Sequence, residues 1–259
     1  MNRERVIGIL AVALLAGGAL WYAGMLPAPL PPVKGPVAIP TGIAKISEDA
    51  PYYAIDISYP TTTPIAQTAG TGADQAAVAL IKGYFDAYAA TFKKEGNFAN
   101  LTQKDIQMVG FDRGRKESLS AVYLISTSAR SVSYIYTIVE DTLGAHPNTF
   151  FKTFTFDLGT GKLLSIADIF TAGTPYLDRL SAVSRTYLAQ NLGQYADTQM
   201  LDNGTAPDAK NFQNFFIDNG TLAILFAPYD VAAYAAGPQT VRIPLSELSD
   251  ILKPAYLAK

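Results

Sequence analysis

FFIDNGTLAILF, residues 215–226, decides the fold. Two apolar runs flank Asn219-Gly220. Both residues of that pair tolerate positive φ, the requirement of a two-residue hairpin turn, so two adjacent antiparallel strands are predicted here. Working outward, TVRIPL (240–245) continues as a last strand and SELSDILK (246–253) as a short final helix, with the irregular stretch APYDVAAYAAGP (227–238) between. Upstream, Thr174-Pro175 opens a helix, Thr as cap and Pro preset for the first turn. Leu177, Leu180, Tyr187 and Leu188 form its apolar side, and Gly193 ends it. NTFFKTFTFDL (148–158), SVSYIYTIVED (131–141) and AVYLIST (121–127) read as strands, the last two joined by a turn near Ser128 to Arg130. In PYYAIDISYP (51–60) the period is two, placing Tyr53, Ile55, Ile57 and Tyr59 on one face. From Ala73 to Glu95 the period becomes helical, with Ala77, Leu80, Ile81, Tyr84, Phe85, Tyr88 and Phe92 in one apolar stripe. The order of elements predicts an α+β fold of antiparallel sheets, each packed by a helix.

Composition narrows the function. Hydrophobic residues make up 49% of the 259-residue chain and charged residues 16%, which favours a packed core over disorder. There is no cysteine, so disulfides, thiol nucleophiles and zinc–thiolate sites are excluded. A net charge of −2 shows no basic footprint for nucleic acid. Residues 6–26 run VIGILAVALLAGGALWYAGML without a charge, behind Arg3 and Arg5. At about 1.5 Å per residue they match the bilayer hydrocarbon, so an N-terminal transmembrane helix precedes the fold in this reading, with the remainder outside the cytoplasm. Cleavage near Gly17 and Ala19 would instead make the protein secreted. The proline-rich residues 27–40 read as an extended linker.

Motifs for chemistry are sparse. His146, in GAHPN (144–148), is the sole histidine. It precedes a proline and lies between two predicted strands, so it reads as a turn residue. Metal binding needs several convergent ligands, and no second histidine is present to supply one. GTGK (159–162) lacks the glycine a phosphate loop requires where Phe156 stands, and Leu163 occupies the Ser/Thr position. No GxSxG or HExxH occurs. Glu140 and Asp141 are adjacent on a strand and face opposite sides. DNGTAPD (202–208) lacks the closing glutamate of a calcium loop and reads as a solvated loop. The sequons at Asn100, Asn203 and Asn219 are too short to carry weight, and the last is explained by its turn. No cofactor is expected. In 227–238, two tyrosines on an irregular loop form a candidate binding surface, because such rings bury much area at little entropic cost.

GAHPNTFFKTFTFDLGTGKLLSIADIF (144–170) and FFIDNGTLAILFAPYDVAAYAAGPQTVRIPLSEL (215–248) resemble the extracytoplasmic domain of the RsiV family, bacterial anti-sigma factors whose outer domain binds lysozyme. The same domain follows a companion N-terminal domain in PdaC-type envelope proteins, and YAIDISYP with the helix at 73–95 resembles that companion. The resemblance covers about residues 41–253. It implies a PdaC-type subdomain over 41–143, an RsiV-like domain over 144–259, and an exterior binding module, not a catalyst. It points to Gly144, His146, Asn148, Pro228, Tyr229, Asp230, Tyr234 and Gly237 as candidate binding positions. Tyr229 and Tyr234 would give apolar anchorage, and Asp230 would meet a basic group on a protein partner. The implied partners are a lysozyme-like muramidase or peptidoglycan fragments, with the membrane reached through residues 6–26. Two departures limit the transfer: five residues before the apolar run are too few to hold a sigma factor, and no deacetylase-sized segment remains. An envelope hydrolase using His146 as general base and a structural envelope protein are the alternatives.

Overall fold

The first sheet mixes antiparallel and parallel neighbours. In this computed structural model, which describes residues 42–257, β1 (Ile43–Asp49) and β2 (Tyr53–Pro60) pair antiparallel, and β2 then pairs in parallel with β3 (Glu117–Thr127). β4 (Ser131–Asp141) and β5 (Asn148–Asp157) complete a five-stranded sheet in the order β1-β2-β3-β4-β5. The expected all-antiparallel pairing is therefore corrected. Parallel neighbours need a long crossover, and the segment between β2 and β3 supplies one. It contains the single turn α1 (Ile65–Thr68), the long helix α2 (Thr71–Glu95) and the short α3 (Gln103–Val109), whose start is fixed by a reciprocal Thr102–Asp105 capping box.

The predicted stripe of α2 is largely the buried one. Ala77, Ile81, Phe85, Ala89 and Phe92 pack on Ile55, Ile57, Leu119, Ala121, Val132, Tyr134, Tyr136, Ile138, Phe154 and Phe156 to form the first core. Leu80 departs from it and is 40% exposed.

The second sheet has three antiparallel strands, β6 (Phe215–Asp218), β7 (Thr221–Phe226) and β8 (Gln239–Pro244), in the order β6-β7-β8. Asn219 and Gly220 turn the β6–β7 hairpin at φ 45° and 71°, both left-handed as the sequence requires. Cross-strand rows Phe215–Ile224–Val241 and Ile217–Leu222–Ile243 face the second core. That core is covered by α4 (Tyr176–Asn191), through Leu180 and Leu188. Thr174 does not cap α4: its hydroxyl donates backward to the Thr171 carbonyl, and Pro175 holds the cap position. The final helix expected over 246–253 is instead a 3-10 turn, Leu245–Leu248. Within 202–208, Asp202 to Gly204 belong to α5 (Thr198–Gly204), not to a loop.

β6 is an edge strand, and an edge strand exposes unpaired N–H and C=O groups. Here three of them are met by hydroxyls on the outer face of the first sheet. The Phe215 N–H donates to Thr153 Oγ1 at 3.1 Å, Thr155 Oγ1 donates to the Phe215 carbonyl at 2.9 Å, and Ser126 Oγ donates to the Ile217 carbonyl at 3.2 Å. Ser133 Oγ and Thr155 Oγ1 lie 3.0 Å apart behind them. Ser126, Ser133 and Thr155 are at most 1% exposed, so these bonds are made away from water, where an unmet partner is expensive.

All described residues fall in one compact unit. The subdomain boundary expected at 143/144 passes between β4 and β5, which are hydrogen-bonded neighbours. Among the described residues no helix is long and apolar enough to cross a membrane. The architecture is corrected to that extent: it holds no transmembrane helix among the described residues, and the stretch 6–26 expected to form one, with the linker at 27–40, lies outside them.

Thr155→Val preserves shape but leaves the Phe215 carbonyl without its donor. Denaturant unfolding is expected to show a loss of about 1–3 kcal/mol; an unchanged midpoint would mean that the hydroxyl contacts contribute nothing to docking β6.

Candidate functional site

Tyr229 sits at φ 74°, a left-handed conformation that a bulky side chain adopts only when its surroundings impose it. A tight turn, two buried neighbours and a close backbone approach hold it there. The Asp230 N–H donates to the Ala227 carbonyl at 3.1 Å, and the Asp230 carboxylate accepts the Ala227 N–H at 2.6 Å, closing a tight turn over Pro228 and Tyr229. Val231 and Ala232, 1% and 3% exposed, anchor the next two residues in the second core. Gly204, on α5, lies directly beneath: a Cβ there would fall 2.0 Å from the Asp230 carbonyl oxygen and 2.7 Å from Val231 Cγ1. Glycine is the residue that permits this approach. Asp230 counts as exposed overall, but its carboxyl is tucked under the loop, and that desolvation raises its pKa against the pull of the Ala227 N–H.

The other side of the loop is a single 3-10 turn, Tyr234–Ala236, ended by Gly237 at φ 67°. The Gln239 side-chain amide donates to the Ala236 carbonyl at 2.8 Å and the Gly237 carbonyl at 3.3 Å, fixing the turn to the start of β8.

His146 approaches from the β4–β5 connection. Asp141 shapes that connection by accepting the Leu143 N–H at 2.8 Å, and Leu143 is itself left-handed at φ 60°. The imidazole stacks on Tyr234 with centroids 3.9 Å apart and planes at 19°. Tyr229 completes the group, with its centroid 5.6 Å from Tyr234 and 6.3 Å from His146. His146 Nδ1 lies 3.1 Å from the Pro147 carbonyl, and Nε2 lies 3.3 Å from the Tyr229 hydroxyl. A carbonyl only accepts, so Nδ1 carries the proton; in the neutral ring Nε2 then accepts from the Tyr229 O–H.

The structure thus brings together three candidates from two distant segments: His146, Tyr229 and Tyr234. Tyr229 is 54% exposed and presents the cluster to solvent. Gly144, in the connection, and Asn148, the first residue of β5, flank the histidine; both are exposed and neither adds a side-chain hydrogen bond to it among the described residues. Pro228 and Gly237 shape the loop. Asp230 accepts the Ala227 N–H on one carboxylate oxygen and is exposed. Gly204 and Gln239 are positioning residues that sequence reasoning missed; only the fold reveals what they touch. No group of three or more His, Cys, Asp or Glu residues suited to a metal occurs among the described residues. The Pro147 carbonyl holds the position beside Nδ1 where a catalytic triad would place a carboxylate, and the hydroxyl on Nε2 belongs to a tyrosine.

A known family covers the two tyrosines of the cluster but not His146. Residues 167–246 match the family described as protein of unknown function (DUF3298). The chain is 34% identical over 146 residues to the peptidoglycan-N-acetylmuramic acid deacetylase PdaC of Bacillus subtilis, an alignment covering 56% of this chain and 31% of PdaC. It is 28% identical over 116 residues to an esterase of Mycobacterium tuberculosis, covering 45% of this chain and 50% of the esterase. In both cases the chain spans half or less of the relative's length. A crystal structure of a DUF3298 family member from Bacteroides fragilis superposes with a TM-score of 0.51 at 18% identity, covering 86% of this chain and 96% of that one. At that identity the likeness establishes the fold alone.

Two substitutions test this construction. Gly204→Ala must displace the Asp230–Val231 backbone and is expected to lower the unfolding midpoint and to shift the Tyr229 and Tyr234 ring resonances. Tyr229→Gly removes the left-handed cost of about 1–2 kcal/mol along with the ring. Its stability should stay equal or rise, and a clear fall in stability would contradict the strain described here.

Proposed function

We propose that this protein is a non-catalytic binding module of the bacterial envelope, working outside the cytoplasm, and that the His146–Tyr229–Tyr234 cluster is its contact surface for the glycan of peptidoglycan. One observation carries the reading: three rings from segments 83 residues apart converge in one solvent-facing stack, with one of them held in a strained backbone conformation. Core packing alone does not call for an exposed, strained tyrosine, and strain of this kind gathers at ligand contacts. Flat ring faces beside hydroxyl and imidazole groups suit a sugar ring, which has an apolar face and a polar rim. The similarity to a deacetylase named for peptidoglycan N-acetylmuramic acid supports the same chemistry.

The RsiV resemblance offered a lysozyme-like muramidase as the other partner. That partner is basic, whereas the cluster itself presents ring faces and a hydroxyl rather than a carboxylate, which favours the glycan. The esterase similarity keeps hydrolysis as a second reading, with His146 Nε2 as base toward the hydroxyl 3.3 Å away. It is the weaker reading because a tyrosine hydroxyl fills the place of a serine.

Co-sedimentation of the full chain with purified insoluble peptidoglycan is expected, with the affinity reduced at least about tenfold by Tyr229→Ala with Tyr234→Ala, a loss of about 1.4 kcal/mol or more. Unchanged binding by the double variant, or no binding by the parent, refutes the glycan reading. Capture of a lysozyme-type muramidase instead, lost in the same variant, would reassign the surface to the protein partner. For the hydrolytic reading, His146→Ala is expected to leave any turnover of a p-nitrophenyl ester unaltered; abolition of measured turnover would restore the enzyme.

A further inference from the structure

A second site lies where the C-terminal segment meets the ends of β3 and β5, and its residues take no part in the aromatic cluster. A cavity of about 210 Å³ is lined by Arg130, Asp157, Lys162, Asp168, Lys253 and Tyr256. Three cations thus face two carboxylates, leaving one positive charge in excess.

The carboxylates are already spent. Asp157, 5% exposed, accepts the Thr160 N–H at 2.9 Å and the Thr160 hydroxyl at 3.0 Å on Oδ1, while its Oδ2 lies 2.6 Å from Arg130 Nε. Asp168 accepts Lys162 Nζ at 2.7 Å on one oxygen, and the N–H and hydroxyl of Ser165 at 2.8 and 2.6 Å on the other. Burial opposes its ionisation, but Lys162 and Ser165 prevail and hold its pKa at about 2, so it stays charged.

The cations are not spent. Arg130 meets Asp157 and approaches the Tyr256 hydroxyl, Lys162 meets Asp168, and Lys253 Nζ donates to the Asp168 carbonyl at 2.6 Å. A guanidinium has five N–H donors and each ammonium three, so more donors line this cavity than protein acceptors consume. Surplus N–H donors carrying net positive charge are the recognition chemistry of an oxyanion.

We infer that this cavity is a binding site for a small oxyanion, a carboxylate or phosphoryl group, held by Arg130, Lys162 and Lys253. The three cations come from the β3–β4 turn, the segment after β5 and the C-terminal segment, so the bound anion would also tie these three pieces of chain together.

The test is calorimetric titration of the full chain, in phosphate-free buffer of low ionic strength, with inorganic phosphate and separately with acetate. Saturable single-site binding of either is expected. Preference for phosphate assigns a phosphoryl ligand, and preference for acetate assigns a carboxylate. Lys162→Gln with Lys253→Gln should weaken binding at least fivefold while the tyrosine double variant binds as the parent does, so failure here is separable from failure of the glycan reading. Where the lysine double variant loses its cooperative melt, the two single variants give the comparison. No saturable binding of either anion by the parent, or equal affinity in the folded lysine variants, overturns the inference.

Discussion

A bare strand edge set down on a row of hydroxyls organises this molecule. β6 pairs with β7 along one side only, and its other side would carry unmet backbone groups into a water-poor interface. Thr153, Thr155 and Ser126 meet them from the first sheet. Alternation within β6 makes this possible: Phe215 and Ile217 turn their peptide groups to the hydroxyls, while Phe216 and Asp218 pair with Ala223 and Thr221. The two cores are thereby joined by directional bonds, and directional bonds fix register in a way that apolar contact does not.

The aromatic cluster inherits its geometry from that joint. His146 rides on the connection between β4 and β5 of the first sheet, and both tyrosines ride on the β7–β8 loop of the second. A 3.9 Å stack between them requires the sheets to keep a fixed relation. The strain at Tyr229 is then met by contacts elsewhere in the same loop, notably the Asp230 turn and the close approach over Gly204. A preformed ring surface loses little entropy on binding, which is the advantage of building it on sheet ends.

What the sequence displayed was mainly local. Asn219-Gly220 announced its hairpin through φ preferences, and the α2 stripe announced its buried face through spacing; both depend on neighbours a few residues away. The parallel β2–β3 pairing was hidden because it is decided by where a long crossover delivers the chain, which periodicity does not encode. Thr153, Thr155 and Ser133 were not singled out in the sequence, yet they form the buried seam, because a hydroxyl suits either setting. The two site segments each stood out as irregular, GAHPN by its turn and 227–238 by its prolines and tyrosines, but nothing local says that His146 would lie on Tyr234. Gly204 was concealed in DNGTAPD, whose polar letters suggested a loop where α5 presses on Asp230. The turn that Asp230 closes with Ala227 was likewise not visible in the sequence.

The joint between the sheets is tested most directly by native-state hydrogen exchange resolved to single amides. The Phe215 N–H, bonded to Thr153 Oγ1, should exchange with the same opening free energy as the slowest amides of β4 and of β7, since all three open only when the whole unit unfolds. Separate free energies for the two sheets, with Phe215 exchanging at the lower one or faster, would show that they are independent bodies and that the hydroxyl seam does not hold the site together.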